Sequence, residues 1–293
     1  MLQVENVNRS FGSKRVLRDV SFTVGRGRMT GFVGANGAGK TTTMRIILGV
    51  LSADSGTVTV DGTTLGDSDR RRFGYMPEER GLYPKMKVAE QIIYLARLHG
   101  LAPAAAQKNT TQLLERLGLE ERANTPVEAL SLGNQQRAQI AAALVHDPEI
   151  LVLDEPFSGL DPIAVETVQG VLKDRAADGV PVLFSSHQLD IVERLCDDLV
   201  VISDGSIRAS GSREKLRSDF GGSRYELEVQ GTAEWVRDAR AIEVVSVEGG
   251  RSVFSATPDA AQSVLRAALE RGPVLRFAPQ EPSLAQIFRE VIQ

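Results

Sequence analysis

Cysteine occurs once in 293 residues, at Cys196, so neither a disulfide framework nor a thiolate metal site can form within one chain. It sits in the amphipathic run LDIVERLCDD and reads as a small core residue rather than a reactive thiol. Long apolar runs are also missing, since none approaches the roughly 18 residues needed to span a bilayer. The N-terminal MLQVENVNRS lacks the basic start and apolar core of a signal peptide. A role at a membrane would therefore require docking onto another chain. The third absence is an excess of positive charge. With 34 basic and 38 acidic residues in mixed order and a net charge of -4, there is no general argument for a nucleic-acid-binding surface. What remains reads as a soluble cytoplasmic chain, 42% hydrophobic and 25% charged, long enough for one good core and a second smaller one.

From Leu2 to about Leu216, short β-type runs alternate with helical patterns, and ILVL (Ile150 to Leu153) and VLF (Val182 to Phe184) are apolar enough to be buried on both faces. That pattern predicts an α/β sheet, largely parallel in its core. From about Val88 to Glu128 the pattern is helical, punctuated by Pro103 and Pro126, which predicts a helical subdomain inserted between strands. After SREKLRSDF comes GGS (Gly221 to Ser223), and beyond Lys215 lysine disappears. The shift predicts domains at 1–220 and 221–293. The tail reads strand (YELEVQ), helix (AEWVRDA), strand (IEVVSVE), strand (RSVFSAT), helix (AAQSVLRAALERG) and strand (VLRFA), then a closing helix, SLAQIFREVI. This is a βαββαβ, ferredoxin-like α+β order. It carries no Cys, no His, no phosphate loop and no close acid pair, so it reads as a packing, dimerising or regulatory module, with Trp235 in its core.

The strand TGFVG runs into GANGAGKTT (Gly34 to Thr42) and then the helical TTMRIILGVL. This is G-x-x-x-x-G-K-[ST] in its strand-loop-helix setting. Gly34, Gly37 and Gly39, with Asn36 and Ala38 between them, let the backbone curl so that several N–H groups face one anion, and the helix N-terminus adds positive potential. Lys40 is aimed at the β- and γ-phosphates, Thr41 offers a hydroxyl to Mg²⁺, and Thr42 completes the loop. ILVLDEP ends an apolar strand in two acids, where parallel strands gather ligands. Asp154 would hold Mg²⁺, directly or through water, and Glu155 would act as general base on the attacking water. His187, after VLFSS, would hydrogen-bond the γ-phosphate and report its presence, the plainer alternative being a capping or core histidine.

LSLGNQQRAQIAAAL (Leu130 to Leu144) is similar to the signature motif of ABC-type ATPases. With Phe11, the GANGAGKTT loop, the Glu78 loop, LDEP, SGLD and His187 in the family's order, the chain resembles an ABC transporter nucleotide-binding subunit over about Leu2 to Phe220. The resemblance implies a P-loop NTPase of the ABC ATPase fold, its helical subdomain at about 87–145, with ATP and Mg²⁺ as cofactors. It implies a head-to-tail homodimer in which Ser131 and the Gly133 backbone bind the other subunit's γ-phosphate, at a helix opened by Asn134, with SGLD (Ser158 to Asp161) lining the interface. Phe11 falls where the family places an aromatic against adenine, unless the sheet buries it. Two departures stand out: LSLGN replaces LSGGQ, and Glu78 replaces a glutamine.

YMPEERGLYPKMKV, LSLGNQQ and the tail closing in EPSLAQIF resemble a bacterial branch of ABC exporter ATPases linked to sodium efflux or drug resistance. That resemblance implies separate membrane-spanning permease subunits, a peripheral position on the inner face of the cell membrane, and a permease contact beside Glu78 to Met86 near Arg80, Tyr83 and Lys85. Glu78 would contact the metal, directly or through water, or else be only a loop acid. A different class, a soluble ABC ATPase acting on ribosomes or DNA, usually carries fused cassettes, coiled coils or basic arms. This chain has one cassette, no sustained heptads and no basic run.

Overall fold

The structure, a computed structural model, describes residues 1–79, 81–220, 224–280, 283 and 286–288. The expected GGS link, Arg80 and most of the expected closing helix lie outside the described residues. The chain divides into two compact units, Met1–Arg213 and Glu214–Gln293.

In the first unit, β1 (Leu2–Phe11) and β2 (Lys14–Val24) bury Leu2, Val4, Val7, Leu17, Val20, Phe22 and Val24 and expose residues between them. They are followed by β3 (Met29–Val33), α1 (Lys40–Ile47), β4 (Ser55–Val60), β5 (Thr63–Thr64), α2 (Asp67–Arg70) and β6 (Phe73–Met76). Next come the helices α3 (Val88–Leu98), α4 (Pro103–Arg116) and α5 (Leu132–Leu144). The remainder is β7 (Ile150–Leu153), α6 (Pro162–Ala177), β8 (Val182–Ser186), α7 (Leu189–Leu195), β9 (Asp198–Ser203) and β10 (Ser206–Ser212). A six-stranded sheet runs β10-β9-β3-β8-β7-β6, parallel except for β10 at its edge. Every residue of β3, β7 and β8 is buried, as strands covered on both faces require.

A second, antiparallel sheet, β2-β1-β4-β5, packs its apolar face with Phe32, Met44, Ile47 and Val152 into a shared core. The alternating β reading did not separate this sheet from the parallel one, because half-buried alternation and fully buried runs occur in the same stretch of chain. The helical insert is present between β6 and β7. Pro103 opens α4 where its missing N–H costs nothing, and α5 begins at Leu132 with Ser131 as N-cap. The helix therefore starts two residues before the expected Asn134, because the Ser131 hydroxyl accepts the Asn134 N–H.

The second unit opens with α8, whose helix runs Arg213–Phe220, and continues with β11 (Arg224–Val229), β12 (Ile242–Glu248), β13 (Arg251–Ala256), α9 (Pro258–Arg271) and β14 (Val274–Pro279). The sheet order β12-β13-β11-β14, all antiparallel, is the ferredoxin-like arrangement. The expected first helix is instead a 3-10 turn, Glu234–Asp238. Leu227, Phe254, Val236, Ala261 and Val264 form the core, against which Trp235 is partly buried beneath the Arg271 guanidinium. Among the described residues no helix is long and apolar enough to cross a membrane.

Candidate functional site

Parallel strands deliver their C-terminal ends to one edge of the sheet. β3 leads into the glycine loop and α1, β6 into Glu78, β7 into Asp154 and Glu155, and β8 into His187. The loop needs its glycines for two separate reasons. Gly39 adopts φ 113°, a left-handed conformation that side chains resist. At Gly34 a Cβ would lie 2.4 Å from the Ile202 carbonyl oxygen.

Asn36, Gly37, Gly39, Lys40, Thr41, Thr42, Glu78, Asp154 and Glu155 line one cavity of about 320 Å³, joined by Lys14 and Val16 of β2. Two larger hollows, of about 470 and 420 Å³, contain none of these residues. Their walls are ion-paired surface side chains such as Arg175 with Asp147, so chemistry rather than size identifies the site. Lys40 is buried, and its Nζ donates to the Gly34 and Ala35 carbonyls at 2.7 and 3.2 Å. The Thr41 hydroxyl donates to Asp154 Oδ2 at 2.9 Å, while Ser185 Oγ donates to Asp154 Oδ1 at 2.5 Å. Both carboxylate oxygens of this buried acid are thereby oriented.

Glu155 has φ 52°, a left-handed backbone uncommon for a residue with a side chain and a frequent mark of functional sites. The surroundings hold it there: its N–H donates to Ser185 Oγ at 2.8 Å, and its carbonyl accepts from Gln136 Nε2 at 2.9 Å. The carboxylate, almost wholly buried, meets His187 Nδ1 at 3.0 Å. Beside this group, burial and then the Asp154 carboxylate push the Tyr75 phenol up, with Arg45 partly opposing.

The donor set suits a hard divalent cation. Thr41 and Asp154 present adjacent oxygens, as Mg²⁺ prefers. Among the described residues no three His, Cys, Asp or Glu side chains converge as a ligand set, so an ion here would rely on Thr41 and Asp154 together with oxygens from outside the protein.

Phe11 is 48% exposed at the end of β1, so the sheet does not bury it. Ser131, Gly133 and Asn134 do not line this cavity. They stand at the start of α5, where Gly133 packs near the Gly159 carbonyl of SGLD. Tyr83 is 70% exposed, Lys85 is also exposed, and Cys196 is buried, its thiol pushed up to about 12 by burial. The expectations drawn from the sequence did not include Ser185, Gln136, Lys14 or Val16. Lys14 lies only three positions past Phe11, which was a usable signal. Ser185 and Gln136 reach the site through strand register and helix packing, which leave no mark on the sequence.

Residues 17–158 match the ABC transporter family, and residues 211–292 match the C-terminal domain of ATP-binding proteins like DrrA1-3. Bacillus subtilis (strain 168) has a relative named "Uncharacterized ABC transporter ATP-binding protein YhaQ", 37% identical over 100% of this chain and 98% of its own length. The chain belongs to the ABC transporter ATP-binding protein family. The linearmycin resistance ATP-binding protein LnrL of the same organism is 36% identical over 80% of this chain and 76% of its own. Nod factor export ATP-binding protein I of Ralstonia nicotianae is 39% identical over 74% of this chain and 68% of its own. A solved ATP-binding subunit of an ABC transporter superposes with a TM-score of 0.70 at 33% identity, covering 75% of this chain and 93% of that one. The fold is thus that of an ABC ATPase cassette with a C-terminal α+β unit, and ATP binding and hydrolysis are general to the family.

Proposed function

We propose that this subunit hydrolyses ATP to drive export through separate membrane-spanning permease subunits. The observation that carries the hydrolytic part is the Glu155 carboxylate, 3.0 Å from His187 Nδ1 and lining the same cavity as Lys40, Thr41 and Asp154. In this reading a water oxygen attacks the γ-phosphorus as the bond to the bridging β,γ-oxygen breaks, and Glu155 takes the water's proton. His187 holds that carboxylate in place and senses the γ-phosphate. Lys40 exchanges its loop carbonyls for phosphate oxygens, and Phe11 stacks on the base. Thr41 and Asp154, with Glu78 nearby, would hold Mg²⁺, whose contribution is to neutralise phosphate charge.

Ser131, Gly133 and Asn134 stand outside the cavity of their own chain, which supports a head-to-tail homodimer in which they complete the partner's site. The relatives named for linearmycin resistance and Nod factor export support an exporter. Exposed Tyr83 and Lys85 suit a permease contact on the inner face of the membrane. The domains are taken as 1–220 for the cassette and 221–293 for the accessory unit. Glu155→Gln should retain ATP binding and lose at least ~100-fold in turnover. Near-normal ATPase activity of this variant would reject Glu155 as the base.

A further inference from the structure

Phe11 is the last residue of β1, and its cross-strand partner is Lys14, which lines the phosphate cavity. The ring is half-exposed, and one of its faces is already taken. The Arg9 guanidinium carbon lies 4.9 Å from the ring centroid, a cation–π distance. Arg9 is not free to wander, because its Nη1 donates to Asp54 Oδ1 at 2.8 Å.

Asp54 does more than hold Arg9. Its second oxygen accepts the Ser10 N–H at 2.7 Å, and its own N–H donates to the Asn8 carbonyl at 2.8 Å. One acid before β4 thus fastens three consecutive residues, Asn8, Arg9 and Ser10, immediately ahead of Phe11. The β1–β4 register shifts between Glu5 and Asn8, so on the β4 side Asp54 holds Arg9 and Ser10, while β2 pairs with Arg9, Ser10 and Phe11 on the other side.

We propose that Arg9, held by Asp54, is a positioning residue that fixes the Phe11 ring so that its open face receives the nucleobase. This rests on the reading of Phe11 as the base-stacking residue. A cation under one face makes the ring a planar shelf, flanked by the guanidinium on one side and a nucleobase on the other. Holding the ring before the ligand arrives removes part of the ordering cost of binding.

The effect should be confined to ligands that carry a base. In equilibrium binding, Arg9→Ala should weaken ATP about two- to five-fold, the range expected for an exposed cation–π contact. The affinity for inorganic tripolyphosphate should not change. Asp54→Ala, which removes both acceptors, should give the same selective loss, and Arg9→Ala should add nothing once Phe11→Ala is present. Equal weakening of ATP and tripolyphosphate would overturn the proposal, because that is the signature of general disturbance. If Phe11→Ala weakens ATP and neither Arg9→Ala nor Asp54→Ala does, the positioning role alone is rejected. If Phe11→Ala leaves ATP affinity unchanged, the stacking reading falls and this proposal falls with it.

Discussion

Glu155 shows how much a single residue depends on neighbours that its own position does not announce. Its left-handed backbone costs on the order of 1–3 kcal/mol and persists because Ser185 and Gln136 bind its N–H and carbonyl. Ser185 is fully buried, and its hydroxyl also orients Asp154. Ser185→Ala should therefore leave a buried N–H without an acceptor and destabilise the protein by about 1–3 kcal/mol, measured by urea denaturation. ATPase activity should fall as well, since both acids lose their brace. An unchanged denaturation midpoint would mean that this network contributes nothing. At this scale the meeting of Lys40, Thr41, Asp154 and Glu155 in one cavity was legible, because a G-x-x-x-x-G-K-[ST] loop and an acid-ended parallel strand deliver those side chains to the same sheet edge. Ser185 was not, because only the pairing of Leu153 with Phe184 brings residues 154 and 185 together.

Among the elements, the attachment of the helical insert has a feature with a measurable consequence. His99, past the end of α3, and His146, past the end of α5, stack with ring centroids 3.7 Å apart. Their ring nitrogens lie 2.9 and 3.1 Å from the Arg71 and Phe73 carbonyls, at the entrance to β6. Burial, reinforced by neighbouring His99, lowers the His146 pKa from 6.5 to about 4. Below pH 6.5 the unfolded chain takes up a proton that the folded chain refuses, so stability falls as pH drops from 6.5 towards about 4. His146→Gln should flatten that part of the profile in urea titrations at pH 7 and pH 4.5. An undiminished slope would show that other groups set it. The sequence revealed the insert through helical periodicity and prolines. It did not reveal the stacked pair, since residues 99 and 146 meet only through the packing of α3, α5 and β6, nor the short 3-10 turn at Glu234–Asp238, whose composition suited an α-helix.

For the molecule as a whole, every described residue of the phosphate cavity falls within Met1–Arg213. A chain ending after residue 220 should fold and bind ATP with an affinity within about twofold of the full protein, as isothermal titration would show. A large loss would mean that the C-terminal unit completes the nucleotide site. The disappearance of lysine and the change in strand pattern pointed to a boundary near Gly221, whereas the compact units divide between Arg213 and Glu214. The second sheet of the first unit was not legible, because its strands join the same core as the parallel strands. The Glu155 carbonyl accepts from Gln136 of α5 and from the Ser158 N–H, and Gly133 rests near Gly159 in the turn that Ser158 begins. The start of α5, the SGLD turn and Glu155 therefore form one block. In the head-to-tail pair proposed above, a ligand pressing on the outer end of that block would be felt at the chain's own Glu155, so the two sites would keep a common rhythm rather than fire independently.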